Sequence, residues 1–143
     1  MIKANNAPSR ARRGVRNGDI LLSTVRPTLK AIGILNKVPS NVVVSTGFAV
    51  LTATPVIYPL FLYYQLFSNF VQEQIISRMG KGSYPSINQR DVKELKIYCP
   101  KIEIQEQIVA EIQNEQKIID SNKELIKIYE QRIKVKIADL WNE

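Results

Sequence analysis

The sequence predicts an α+β fold: a small curved mixed β-sheet packed on a helix, followed by a long C-terminal helix. Three observations carry that prediction. Short runs rich in β-branched residues fill positions 19–53. An apolar segment at helical spacing follows them and ends at Gly80 and Gly82. Beyond Pro100, Ile112, Ile119, Ile126, Ile133 and Leu140 recur every seven residues without a break, the signature of a helix that packs along its length against another.

Residues 1–13 read as a loose start. Asn17-Gly18 is a turn signal, Asp19 to Val25 a strand, and Arg26-Pro27 its end. Lys30 to Leu35 reads as a second strand and Lys37 to Asn41 as a turn. Val42 to Ala53 reads as a third strand, in which Gly47 suggests a bulge or a close approach of backbone. Thr54 or Pro55 opens a helix that continues from Tyr58 to Met79, with Leu60, Tyr64, Phe67, Val71 and Ile75 on its inner face. Ser86 with Gln89 has the form of a capping box for a short helix through about Glu94. Leu95 to Tyr98 would return to the sheet, and Pro100 closes the globular part. The boundaries expected are 1–100 for the globular domain and 101–143 for a helical spacer. From Glu103 to Trp141 that helix would run nearly 60 Å, at about 1.5 Å per residue. Its second column is mixed, with Glu115, Asn122, Tyr129 and Lys136 in one series and Ile118 and Leu125 beside it. Such a seam favours a specific partner or register over an ideal parallel dimer.

Composition narrows the chemistry. The chain has no histidine and a single cysteine, which removes the commonest general base and any four-cysteine metal site. Cys99 reads as a small buried hydrophobe, and cysteine usage fits a reducing cytoplasm. Ser23, Thr24, Ser45, Thr46 and Ser83 have no histidine to activate them. Asp91 and Glu94 read as surface ion-pair partners of Arg90, Lys93 and Lys96. No catalytic residue, metal site or bound cofactor is expected. The Val56–Phe70 run is too short and polar to span a bilayer, and no membrane partner is expected.

The formal net charge is +7, and all of it lies in residues 1–40, which hold eight basic residues and one acid, Asp19. Such a surface attracts polyanions; a solvated basic tail would look the same. Arg26 and Lys30 flank strand-like runs, so part of the charge belongs to folded structure. In the loop Gly80–Pro85, Lys81 would hold phosphate, Ser83 would donate to phosphate or a base edge, and Tyr84 would stack. A tight connection with Tyr84 packed inward is the alternative.

At these residues the chain resembles the specificity subunit of type I restriction–modification systems. The resemblance rests on GDILLSTVRP (Gly18–Pro27), STGFAVL (Ser45–Leu51), GKGSYPSINQRDVKELKIYCP (Gly80–Pro100) and KIEIQEQIVAEI (Lys101–Ile112), with Glu106-Gln107 at the start of the family's long helix. It implies a non-catalytic, cytoplasmic, prokaryotic DNA-binding subunit. Each of the family's two target-recognition domains reads half of a split target, and their long helices pack antiparallel as a spacer. It implies double-stranded DNA, adenine-N6 methyltransferase subunits that use S-adenosylmethionine, and the restriction subunit as partners. A homodimer or a complementing half-subunit would pair through the long helix. Arg12, Arg13, Arg16, Arg26, Lys30, Lys81, Ser83 and Tyr84 would approach DNA, and Ile112, Ile119, Ile126, Ile133 and Leu140 would pair the helices. Against that family the chain reads as the later part of one recognition domain plus the helix, with the domain's opening strands absent before Gly18. A scaffold that binds the methyltransferase or pairs through the helix without reading DNA is the second reading.

Overall fold

The computed structural model describes residues 7–80, 82 and 84–141. Two compact units part between Glu106 and Gln107. The first contains two small antiparallel sheets and three short helices. β1 (Ala11–Gly14) pairs with β4 (Val43–Ser45). β2 (Ile20–Ser23) lies between β3 (Ile32–Ile34) and β5 (Phe48–Leu51). Ile20 stands opposite Ile34 and Leu51, and Leu22 opposite Ile32 and Ala49. Side chains alternate faces along a strand, so Ile20 and Leu22 enter the core together while Leu21 and Ser23 stay half-exposed. The core joins them to Ala49, Leu62, Leu66, Val71, Ile75, Ile87 and Val92.

Gly18 turns the chain into β2 with φ of 83°, a conformation glycine adopts without penalty. Asp19 follows, buried at 3% exposure. Its carboxylate accepts from the Arg16 backbone N–H at 2.9 Å and the Thr52 hydroxyl at 2.6 Å. The exposed Arg16 guanidinium lies 3.8 Å away and adds little. Asp19→Ala, which strands both donors, is expected to destabilise the protein by about 2–3 kcal/mol, and Asp19→Asn by less; urea unfolding measures both.

Several local expectations are corrected. The start is not loose through residue 13, because β1 begins at Ala11 and is held by the β4 ladder. Val42–Ala53 is not one bulged strand. The chain turns at Thr46-Gly47 and changes sheets, β4 going to β1 and β5 to β2. Gly47 marks that crossing, and its carbonyl accepts from both the backbone N–H and the hydroxyl of Thr24. The 58–79 helix is two helices, α1 (Pro59–Gln65) and α2 (Asn69–Arg78). Ser68 breaks it: its hydroxyl accepts from Val71 N–H and donates to the Gln65 carbonyl, which caps α2 and restarts the helical phase. Phe61, Leu62 and Leu66 therefore join Val71 and Ile75 inside, while Leu60, Tyr64 and Phe67 are only half-buried.

The cap of α3 (Gln89–Lys93) is Asn88, not Ser86. Asn88 Oδ1 accepts from Asp91 N–H at 2.9 Å, while Ser86 is engaged in a bridge with Val25. The exposed Arg90–Glu94 pair does form, at 3.2 Å.

Leu95–Tyr98 does not join a sheet. The backbone groups of alternate residues in an extended chain point the same way, and here helix glutamines take them. Gln74 receives the N–H of Lys96 and donates to its carbonyl, both at 2.9 Å. Gln65 does the same for Tyr98, at 2.8 and 2.6 Å. Cys99 is consequently exposed and not a core residue, its thiol 3.6 Å from the Val56 carbonyl. Just past the connector, in the first turn of the last helix, Gln105 has a fully buried side chain. Gln105 accepts from Tyr58 N–H at 2.8 Å and donates to the carbonyls of Val56 and Pro100 at 3.0 and 2.7 Å.

The last helix, α4, runs from Ile102 to Asp139, close to the expected span. In the unit 107–143, Ile119, Ile126, Ile133 and Leu140 are all exposed. Ion pairs Lys123–Asp120 and Lys127–Glu124 lie on its surface. No described helix is long and apolar enough to cross a membrane.

Candidate nucleic-acid interface

Five of the basic residues of the first forty positions, Arg12, Arg13, Arg16, Arg26 and Lys30, separate into two groups once placed. One is engaged by the domain itself. Arg13 is half-buried, donates from Nη1 to Gln89 Oε1 at 3.0 Å, and has a buried Nε without a partner among the described residues. Gln89 in turn reaches the Phe48 carbonyl at 3.4 Å. Arg13 is thus a strut from β1 to α3. Arg16 lies over Asp19, and Arg12 Nε donates to the Ser9 carbonyl at 2.6 Å with its side chain exposed.

The second group faces outward around one seam. The Val25–Ser86 bridge and the Arg26 N–H bond to the Pro85 carbonyl, at 2.8 Å, draw the end of β2 against the 84–86 segment. That places the Arg26 guanidinium over the Tyr84 ring, 5.5 Å from its centroid, a cation–π contact that steadies both. Tyr84 is 77% exposed, so it is not packed inward. From Arg26 the chain makes a single 3-10 turn, Pro27–Leu29, and Lys30 closes it by donating its N–H to the Pro27 carbonyl at 2.9 Å. Arg26, Lys30 and Tyr84 therefore belong to one exposed cluster. Lys81 and Ser83 lie outside the described residues.

Sequence reasoning passed over three residues here. Gln89 was assigned to a cap, yet it anchors Arg13. Val25 and Leu29 stand exposed beside the cations. The available signal was Leu29 itself, an apolar residue between Thr28 and Lys30 outside any periodic run. On α4, the exposed apolar surface also takes in Ile128, Val135 and Ile137, beyond the heptad column and its neighbours Ile118, Leu125 and Tyr129.

The chemistry of the cluster is that of a polyanion contact. It offers two flexible cations, an aromatic face and small apolar surfaces on backbone fixed by hydrogen bonds. Among the described residues no group of histidine, cysteine, aspartate or glutamate is arranged to hold a metal ion.

Comparison with known proteins gives a consistent result. The family model described as type I restriction modification DNA specificity domain matches residues 13–130. The HindI specificity subunit of a type I restriction enzyme from Haemophilus influenzae is 31% identical over 105 residues, which are 71% of this chain and 23% of that subunit. The crystal structure of an HsdS subunit from Thermoanaerobacter tengcongensis superposes with a TM-score of 0.77 at 34% identity, over 87% of this chain and 32% of that one. A chain from a structural study of complex assembly and conformational transition in the type I R-M system gives the same values. The match thus spans between 23% and 32% of the length of these relatives.

Proposed function

Because the chain belongs to the type I restriction modification DNA specificity domain family, we propose that it is a non-catalytic DNA-recognition and scaffold component of such a system. It would act in the cytoplasm. The unit through Glu106 reads a half-site of a split target, and α4 pairs antiparallel with a partner helix and helps recruit adenine-N6 methyltransferase subunits. The observation that carries the reading is that the family match, 13–130, takes in both the basic cluster at Arg26, Lys30 and Tyr84 and most of α4.

Charge along α4 supports the antiparallel sense. Glu103, Glu106, Glu111 and Glu115 occupy its first part, while Arg132, Lys134 and Lys136 occupy its last. An antiparallel partner of the same kind sets acid against base along the seam, and a parallel one sets like against like. Pairing of two copies would give a two-fold molecule and a palindromic split target.

Selection from a randomised duplex library, with and without the methyltransferase and at two salt concentrations, tests the proposal. Enrichment of a short motif, with affinity falling steeply as salt rises, is expected. No binding by the folded protein in either condition would sink the recognition role. The exposed stripe on α4 serves a second reading equally, a helix scaffold that does not read DNA. That reading predicts a methyltransferase complex with unchanged DNA affinity.

A further inference from the structure

The Arg26–Lys30 turn carries features that a plain connection does not need. Pro27 is fully buried, and α2 packs against the turn. Leu29 N–H donates to the Arg26 carbonyl at 3.0 Å, and Arg26 N–H to the Pro85 carbonyl at 2.8 Å. Arg26 and Lys30 both sit in the left-handed region, with φ of 47° and 51°, though neither is glycine. Side chains disfavour that conformation. It persists where surroundings enforce it, and such positions concentrate at functional sites.

What the enforced turn presents is Leu29, 72% exposed, between two exposed cations. Val25 and Tyr84 are exposed as well, with Tyr84 braced by Arg26. A lone exposed leucine is unremarkable. One fixed on a pinned turn, with a cation on either side, matches a ligand that alternates phosphate with apolar edges. A protein partner would call for a broader apolar patch with fewer cations at its centre.

We infer that Leu29 is a specificity-determining side chain, an inference that rests on the DNA-recognition role proposed above. Leu29 contacts a thymine C5-methyl in the major groove, while Arg26 and Lys30 hold phosphates beside it. Arg26 and Lys30 set position and affinity; Leu29 adds the preference for one base.

The test uses the full chain and the duplex it selects from a random library. Each thymine of that duplex is replaced in turn by deoxyuridine, which removes only the methyl group. At one position the parent protein is expected to lose about three- to five-fold in affinity, the size of one buried methyl. L29A is expected to show no such loss there and to select any base at that position. Lys30→Gly is expected to lower the salt dependence of binding by about one counterion and to leave the melting temperature unchanged or a few degrees higher, since glycine relieves the left-handed strain. A parent motif in which no thymine methyl matters, or an L29A motif identical to the parent's, overturns the inference and leaves the recognition role standing. No sequence preference by the parent removes both. Melting curves establish that L29A is folded, and Leu29→Ser serves if it is not. The deoxyuridine series on the parent needs no variant.

Discussion

Gln105→Met is expected to destabilise the first unit by about 3–6 kcal/mol, a large part of the stability of a domain this size. Methionine keeps the length and apolar volume of glutamine but makes none of its bonds. The Tyr58 N–H and the Pro100 carbonyl would lose their partner beside a fully buried side chain, while the Val56 carbonyl would keep only the weak Cys99 thiol contact. Each group stranded in this way costs about 1–3 kcal/mol, with the sum reduced by local relaxation. Gln105→Glu separates bonding from shape in another way. One carboxylate oxygen still accepts from Tyr58, but the other meets two carbonyl oxygens where an N–H donor stood, and a buried charge is added. Both variants are expected to unfold at clearly lower urea concentration than the parent. Gln65→Ala and Gln74→Ala, at exposed bonds, should cost far less because water replaces what they lose. A Gln105→Met protein as stable as the parent would mean that the three bonds contribute nothing net.

This dependence on glutamine shows what sequence could and could not reveal. β2 was legible as a short apolar run, Ile20-Leu21-Leu22, between the Asn17-Gly18 turn and Arg26-Pro27, and α4 because its isoleucines keep a period of seven. The first signal is local punctuation and the second a periodicity that a packing face imposes on sequence. The connector 95–101 has an apolar look but no sheet, since its bonds run to single glutamines on distant helices. Nothing in the spacing of Gln65, Gln74 and Gln105 reports that. The helix break at Ser68 was visible only as a capping residue inside an apolar run. At the candidate interface the residue types were legible and their engagement was not. Arg13 and Arg26 look alike in sequence, but one is drawn inward by Gln89 and the other is set over Tyr84. Both contacts are long-range, and the second depends on a bridge between residues 25 and 86 that no local signal announces.

The pairing proposed for α4 is where the largest loss is expected. Replacing Ile119 and Ile126 together with aspartate should dissociate any assembly held by α4, whether with a second copy or with the methyltransferase. Both side chains stand exposed in the unit 107–143, so the free helix loses little by the exchange beyond modest helix propensity. In a paired seam the same two positions would be shut from water, and an unpaired carboxylate there costs several kcal/mol. Two of them exceed what a single helix interface supplies. Sedimentation velocity is expected to show the parent in its paired or methyltransferase-bound form and the double variant as a free chain. Circular dichroism should show the helix content little changed. An unchanged sedimenting mass would mean that this column is not the seam. A Lys134→Glu, Lys136→Glu variant then asks about direction: in an antiparallel pair of like helices it sets acid against the acidic first part of the partner and weakens assembly. In a parallel pair of like helices the substituted ends meet each other, acid replacing base on both, so assembly changes little, and a marked loss reports an antiparallel partner.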